Sequence, residues 1–242
     1  MNILVTNDDS VNATQLLPLI RWCQKLGNVT TVVPKLEQSG KSHSIELHQP
    51  FEIKEVSLAP DITVWTVDSS PADCVRFAYH GLKQPWDLVI SGINKGFNVG
   101  FDIMYSGTAG AVFEAASHGI PAIALSTRPD YYDRAVEHLD AVWEFFQRHK
   151  LLEMGKLYNV NIPPEPKGFR ITRQGGDFYA DDFVRVEGDL FKAQGKFLYQ
   201  DQQDLTLDTD CVMHGYISVM PLALLRSDSY VYDRLQQQVL SL

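Results

Sequence analysis

The run Asn2-Ile3-Leu4-Val5-Thr6-Asn7-Asp8-Asp9-Ser10 decides how the rest of the chain is read. Its first half is a short strand, and its second half places two carboxylates where that strand ends. Residues 13–26 then carry Leu16, Leu17, Leu19, Ile20 and Cys23 at helical spacing, with Gly27 as the stop. Residues 29–33 give a second strand, closed by Pro34. Working outward, residues 62–67 read as a strand and 71–82 as a helix with Pro71 near its first turn. Residues 87–90 and 122–125 read as short buried strands. Between them lie a Gly/Asn-rich loop and a small-residue helix at 107–118. Residues 133–149 form an amphipathic helix and 157–162 a last strand. Strands alternating with crossover helices predict an α/β protein with a mostly parallel sheet covered on both faces.

Pro163-Pro-Glu-Pro166 marks a change of character. Beyond it aromatic and charged residues mix between 178 and 199, residues 216–219 read as a strand, and 223–242 as a helix-like tail. The stretch 180–204 alternates too weakly and is too charged for a central strand. It reads as an extended arm or hairpin, either exchanged between subunits or simply solvated. The expectation is a single α/β domain, 1–242, divided into a catalytic core at 1–164 and an oligomerising arm and tail at 165–242.

Composition excludes several classes of function. The 242 residues are 45% hydrophobic and 21% charged, which is ordinary globular composition. No apolar run approaches the ~18 residues of a membrane span. Lys+Arg number 21 against 30 Asp+Glu, a net charge of −9, with no basic cluster to track a phosphate backbone. A nucleic-acid polymer and a membrane are therefore not expected as partners. The three cysteines, Cys23, Cys74 and Cys211, have no metal-ligand or disulfide spacing. The chain opens on a strand rather than a leader, so a cytoplasmic protein is expected.

In an open α/β sheet, ligands bind at the carboxyl ends of the parallel strands. Four strand-end segments carry polar chemistry. Adjacent Asp8 and Asp9 repel one another, a cost that a divalent cation relieves. A helix N-cap is the commoner use of an isolated Asp-Asp pair. The loop Gln38-Ser39-Gly40-Lys41-Ser42-His43-Ser44 resembles an anion-binding nest but lacks the P-loop spacing. Most informative is Ser91-Gly-Ile-Asn94-Lys-Gly-Phe-Asn98-Val-Gly100, followed by Tyr105-Ser106-Gly107-Thr108-Ala109-Gly110. Ser106-Gly107-Thr108 opens a helix whose N-terminus is a natural phosphate seat, although Gly107 and Gly110 also suit close helix packing. Asp8, Asp9, Ser39 and Asn94 are all oxygen donors, which suit Mg2+, Mn2+ or Ca2+ better than zinc. A cation between two carboxylates and a phosphate fits phosphate-ester hydrolysis. His43 is a candidate to protonate a leaving alkoxide. His118, at a helix end, more simply meets the dipole.

Taken together, these runs, with Gly119-Ile-Pro-Ala-Ile-Ala-Leu-Ser126, Pro71-Ala-Asp-Cys-Val75, Asn159-Val-Asn-Ile-Pro163, Asp208-Thr-Asp210 and Gly215-Tyr-Ile-Ser-Val-Met-Pro-Leu222, resemble the SurE family of stationary-phase survival nucleotidases. The resemblance spans nearly the whole chain. It implies a Rossmann-like core with a C-terminal β-rich arm and terminal helix that form a homodimer or homotetramer. It also implies a metal-dependent phosphatase acting on nucleoside 5'-monophosphates, on 3'-monophosphates and on short polyphosphate. By that resemblance Asp8, Asp9, Ser39 and Asn94 hold one divalent cation, Mg2+ or Mn2+, with Ca2+ as a non-native occupant. Asp8 and Asp9 are the catalytic pair, and Ser42, Asn98, Ser106, Gly107 and Thr108 surround the phosphate. Two departures stand out: Ser10 where the family has Gly, and Ala13-Thr14-Gln15 where it has Ala-Pro-Gly nearby. The arm reads Val186-Glu-Gly-Asp-Leu190 in place of an Asp-Pro-Arg-Gly-Arg-like run. Either water or an aspartate is the nucleophile, and the sequence leaves that open. The alternative class is a nucleotide-binding regulatory module without turnover. A dinucleotide dehydrogenase is excluded, because no Gly-x-Gly-x-x-Gly follows the first strand.

Overall fold

The computed structural model describes residues 1–240. In chain order the elements are β1 (Asn2–Thr6), α1 (Leu16–Gln24), β2 (Asn28–Pro34), β3 (Ile53–Ala59), β4 (Ile62–Val67), α2 (Pro71–Arg76), β5 (Leu88–Lys95), α3 (Gly107–Ser117), β6 (Ala122–Thr127), α4 (Leu139–Arg148), α5 (Leu151–Met154) and β7 (Leu157–Ile162). After these come β8 (Phe169–Ile171), the hairpin β9 (Tyr179–Glu187) and β10 (Leu190–Phe197), α6 (Asp208–Met213), β11 (Ile217–Pro221) and α7 (Ser229–Leu240).

Nine strands make one sheet in the order β3-β4-β2-β1-β5-β6-β7-β11-β8, and β9 and β10 form a separate antiparallel pair. From β4 to β7 every neighbouring pair is parallel. The edges differ, because β3 runs antiparallel to β4 and β11 antiparallel to β7, with β8 parallel to β11. The expected mostly parallel α/β sheet with a β-rich C-terminal arm and terminal helix is therefore present.

The central strands are buried on both sides. Ile3 and Val5 of β1 pack with Leu16, Leu19, Ile20 and Cys23 of α1 and with Val142 and Phe146 of α4. Leu4, pointing the other way, joins Cys74 and Val75 of α2 and Ala111, Val112 and Ala115 of α3 on the opposite face. Each large side chain fully buried this way contributes roughly 1.5–3 kcal/mol. Pro18 sits in the first turn of α1, where its missing N–H costs nothing.

Several boundaries differ from the sequence reading. The 71–82 helix is α only to Arg76 and continues as a wider π turn, Phe77–Gly81. Of the helix expected at 133–149, the first part is 3-10 geometry over Pro129–His138, and α4 follows. β5 runs on through Asn94 and Lys95, past a bulge between Ser91 and Asn94. Past Pro164 the main sheet gains β8 and β11, so this part of the chain supplies sheet as well as arm.

The chain leaves β1 for β2 on one side and returns to β5 on the other. The crevice between the carboxyl ends of β1 and β5 is thus the topological switch point, where open α/β sheets bind ligands.

Candidate active site

Asp8 follows β1 directly and is buried. Its Oδ1 accepts from the Thr108 hydroxyl at 2.6 Å and its Oδ2 from the Thr108 N–H at 3.1 Å, both from the first turn of α3. The Asp8 carbonyl accepts from Gln38 N–H at 2.7 Å, which ties the 38–44 loop to the same point. α3 can come this close because residue 107 is glycine: a Cβ there would stand 3.0 Å from Asp8 Cβ and 3.1 Å from its Oδ2. A Cβ at Gly110 would strike the Ser42 carbonyl. The close packing that Gly107 and Gly110 permit is therefore what brings the helix N-terminus onto the carboxylate.

Asp9 turns the other way. Its Oδ2 accepts from Lys95 N–H at 3.0 Å, which bridges the ends of β1 and β5. Burial pushes the Asp8 carboxyl up to about 7, with the Thr108 hydroxyl pulling against it and neighbouring Asp9 adding to it. Asp9 is also raised, chiefly by burial, while the Lys95 N–H lowers it and Glu37 raises it. Both carboxylates are thus poorly compensated as anions, which is the state a cation corrects.

Asp8, Ser39, Asn94, Asn98 and Ser106 line one cleft of about 170 Å³, together with Gly40, Lys95, Asp102 and Tyr105. Asn94 donates its amide N–H to the Gly96 carbonyl at 2.8 Å, so its amide oxygen is the group left for a ligand. Exposed Ser39 donates to Glu37 Oε1 at 2.8 Å and keeps its oxygen lone pairs. Among the described residues no group of three or more His, Cys, Asp or Glu is placed to hold a metal. Of the four expected ligands the cleft brings together Asp8, Ser39 and Asn94, while Asp9 opens onto the neighbouring cavity beside Glu37 and Tyr132; all four are oxygen donors, a chemistry that fits a hard cation such as Mg2+ or Mn2+.

The other named residues have protein partners. Ser106 caps α3, its hydroxyl accepting from Ala109 N–H at 3.0 Å. Thr108 spends both its hydroxyl and its N–H on Asp8. Ser42 donates its hydroxyl to the Met104 carbonyl at 2.6 Å and lines a neighbouring cavity, which shares Ser106 with the cleft. Buried Asn98 donates its amide to Ser126 Oγ at 2.9 Å, and its backbone is gripped from β7. Asn161 Oδ1 takes its N–H, while the Asn159 and Asn161 amides donate to its carbonyl. The Asn159-Val-Asn161 run therefore pins the loop that carries Asn98.

His43 does not face the cleft. Its Nε2 lies 2.7 Å from Glu114 Oε2 and its ring stacks on Phe113. His118 meets the other Glu114 oxygen at 3.1 Å and stacks on Tyr79. Burial raises the Glu114 carboxyl, but His43 and His118 outweigh it and hold the group below its usual range.

The structure adds residues that the sequence did not single out as site groups. Lys95 and Tyr105 stand within the quoted runs, beside residues that were chosen. Asp102 and Tyr132 carry no local signal. The Asp102 carboxyl is pushed up to about 6, chiefly by burial and then by Asp181, Asp177 and Asp208. Asp208 accepts from Gly100 N–H at 3.0 Å and from Gly175 N–H at 2.7 Å, which joins the cleft loop to the root of the arm.

Fold and cleft together define an α/β protein with adjacent carboxylates at the switch point of a mostly parallel sheet, one of them, Asp8, under a helix N-terminus. The family model described as "Survival protein SurE" matches residues 3–181. The chain is 36% identical over 239 residues to 5'-nucleotidase SurE of Clostridium beijerinckii, covering 92% of each protein. It is 34% identical over 250 residues to 5'-nucleotidase SurE of Thermosipho melanesiensis, covering 98% of this chain and 97% of that one. The crystal structure of the SurE protein from Aquifex aeolicus superposes with a TM-score of 0.80 at 28% identity, over 98% of this chain and 99% of that one. The chain belongs to the SurE family.

Proposed function

We propose that this chain is a 5'-nucleotidase, as its relatives from Clostridium beijerinckii and Thermosipho melanesiensis are named. It would release phosphate from nucleoside 5'-monophosphates, and from 3'-monophosphates and short polyphosphate as secondary substrates. The observation that carries this reading is the placement of Asp8, an anion destabilised by burial, against the N-terminal turn of α3, with the likewise raised Asp9 next to it at the end of β1.

Asp8 and Asp9, with Ser39 and Asn94, would hold one divalent cation. Bound there, it would neutralise charge on the phosphoryl oxygens and lower the barrier to attack at phosphorus. The chain's own groups do the rest. Thr108 fixes both oxygens of Asp8, so the carboxylate is held in place and water is the better nucleophile. The N-terminal turn of α3, capped by Ser106, would direct the positive end of the helix dipole at the phosphate seat. Lys95 and Asn98 line the same cleft and can orient the ester oxygens. We extend the proposal to assembly. The hairpin exposes Phe183, Val186, Leu190 and Phe191, and α7 has no buried residue, so residues 165–242 would associate with further copies.

Phosphate release from AMP, measured with EDTA and then with Mg2+ or Mn2+ restored, tests the function. Release that depends on the cation, and that Asp8→Asn abolishes, is expected. Full activity in Asp8→Asn would overturn the site, and nucleotide binding without release would make the chain a regulatory module. Hydrolysis of a chiral [16O,18O]phosphorothioate ester in 17O water checks the nucleophile: direct attack by water should invert the configuration at phosphorus, whereas an aspartyl-phosphate intermediate would retain it.

A further inference from the structure

Cleavage of a nucleoside monoester expels an alkoxide, which leaves poorly unless a proton reaches it as the P–O bond breaks. His43, the candidate from the sequence, has its Nε2 2.7 Å from Glu114 Oε2 and does not line the cleft. Few other proton donors do. Asp8 has both oxygens taken by Thr108. Lys95 Nζ lies over the ring of Tyr132, 5.8 Å from its centroid, and Tyr132 belongs to the neighbouring cavity. Tyr105 reaches the cleft but is 63% exposed to solvent. The group that remains is Asp102.

Asp102 sits on the 3-10 turn Gly100–Met104, between the loop of Asn94 and Asn98 and the Ser106 cap of α3. It is half-buried and lines the cleft with Asp8, Ser39, Asn94 and Ser106. Its turn is held on several sides. Asp208 accepts from the Gly100 N–H at 3.0 Å, the Gln174 amide donates to the Gly100 carbonyl at 2.9 Å, and the Phe101 N–H donates to the Gly176 carbonyl at 3.3 Å. The carboxyl is therefore presented to the cleft from a fixed backbone. No cation answers it: the charges that bear on it are the anions Asp181, Asp177 and Asp208, which, after burial, push it up to about 6 against the pull of the Tyr179 N–H. A carboxyl in that range keeps its proton in weakly acidic solution, and an arriving phosphate anion favours the protonated form further.

We propose that Asp102 is the general acid of the reaction, giving its carboxyl proton to the ester oxygen that leaves phosphorus. As the oxygen of water bonds to phosphorus, the ester P–O bond breaks and the departing oxygen takes the proton from Asp102. The products are the nucleoside hydroxyl, phosphate and an Asp102 carboxylate, which regains from solvent the equivalent of the proton that the attacking water has shed. This deepens the nucleotidase reading and rests on it.

The test compares AMP with 4-nitrophenyl phosphate, whose leaving group departs as a stable anion and needs no acid. At saturating Mg2+, Asp102→Asn is expected to lower kcat/KM about 100-fold or more for AMP and less than about 5-fold for 4-nitrophenyl phosphate. The alkaline limb of the AMP pH–rate profile should vanish in this variant, while Mg2+ affinity by calorimetry should hold. Asp181→Asn leaves the acid in place and removes one of the anions that raise it, so the same limb should move to lower pH. Equal losses on both esters, whether or not Mg2+ binding weakens, would make Asp102 a structural or cation-supporting residue and overturn the proposal. An AMP rate unchanged in Asp102→Asn, or a limb that stays in place in Asp181→Asn, overturns it as well. Failure of the nucleotidase reading looks different: the wild-type protein would then release no phosphate from AMP at any pH, and the acid role would fall with it.

Discussion

Asp8 shows how the site trades stability for chemistry at the level of one side chain. Its folded carboxyl titrates at about 7 against 3.8 unexposed to the fold. The raised value means the unfolded chain releases this proton first as pH climbs. The Asp8 contribution to cation-free stability is therefore largest below pH ~4 and is lost on going from pH ~4 to ~7. Asp8→Asn removes that loss. In urea titrations without metal, the variant should gain on wild type by up to about 1.4 kcal/mol per pH unit across this window, and match it below pH ~4. Thr108→Val keeps the shape of the side chain but deletes the hydroxyl 2.6 Å from Asp8 Oδ1. A 10- to 100-fold loss of cation affinity, on the order of second-shell effects, should follow and is measurable by calorimetry. Ser10 is the other instructive residue. Its φ is 74°, left-handed backbone that favours glycine, which explains why the family pattern has Gly there. Its hydroxyl recovers a little by accepting from Asn12 N–H at 3.3 Å. Ser10→Gly should change stability by less than about 1 kcal/mol, whereas β-branched Ser10→Val should cost about 2 kcal/mol or more in chemical denaturation.

Among the elements, α3 does most to build the site, and its sequence was legible for physical reasons. Ser106 as cap, small residues at 107 and 110, and no proline in the helix body all announce a helix packed tightly by its start. Nothing local announced that Glu114, two turns further on, would collect His43 and His118. That contact depends on where the 38–44 loop lies, and loop placement is a tertiary outcome. Because the Glu114 carboxyl is held low, the stability it lends is present above its ordinary pKa of 4.5 and lost as pH falls through the depressed value. Glu114→Gln should cost about 1–2 kcal/mol near pH 7 and much less at pH 3, by thermal or urea unfolding. It should also raise KM, because the loop it anchors carries Ser39. The parallel strands were legible as apolar runs. β3, antiparallel at the edge and half exposed, and β8, only three residues long, lack that pattern. The 3-10 segment Pro129–His138 shares the apolar spacing of an α-helix without its hydrogen bonds, so periodicity alone placed a single helix over 133–149 where two geometries meet.

For the whole molecule, the order β4-β2-β1-β5-β6-β7 sets the location of chemistry before any side chain is considered, because the chain reverses direction of growth at β1. The sequence therefore pointed to strand ends that this order brings to the switch point. It could not show which of the residues after those strands would be spent on one another, as Thr108 and Ser42 are. The excess of acids over bases is concentrated neither in the cleft nor away from it: Asp8, Asp9 and Asp102 stand in or beside the place that must receive an anion. If the cleft takes a phosphate as proposed, a cation there would serve charge balance as much as catalysis. Assembly belongs to this scale too. If the hairpin and α7 bury their apolar residues against other copies, sedimentation should show a dimer or tetramer, and removal of residues 179–197 should reduce its mass. A monomer at high concentration would sink that proposal.

Asp208 binds the peptide groups of Gly100 and Gly175 with its two oxygens, and a Cβ at Gly100 would strike the Gly176 carbonyl. The floor of the cleft and the root of the arm are thus bolted together by a residue that lies in neither. A chain cut just before Asp208 would retain every residue lining the cleft and still lose the cleft's shape, so the catalytic half cannot be separated from its tail as an independent module.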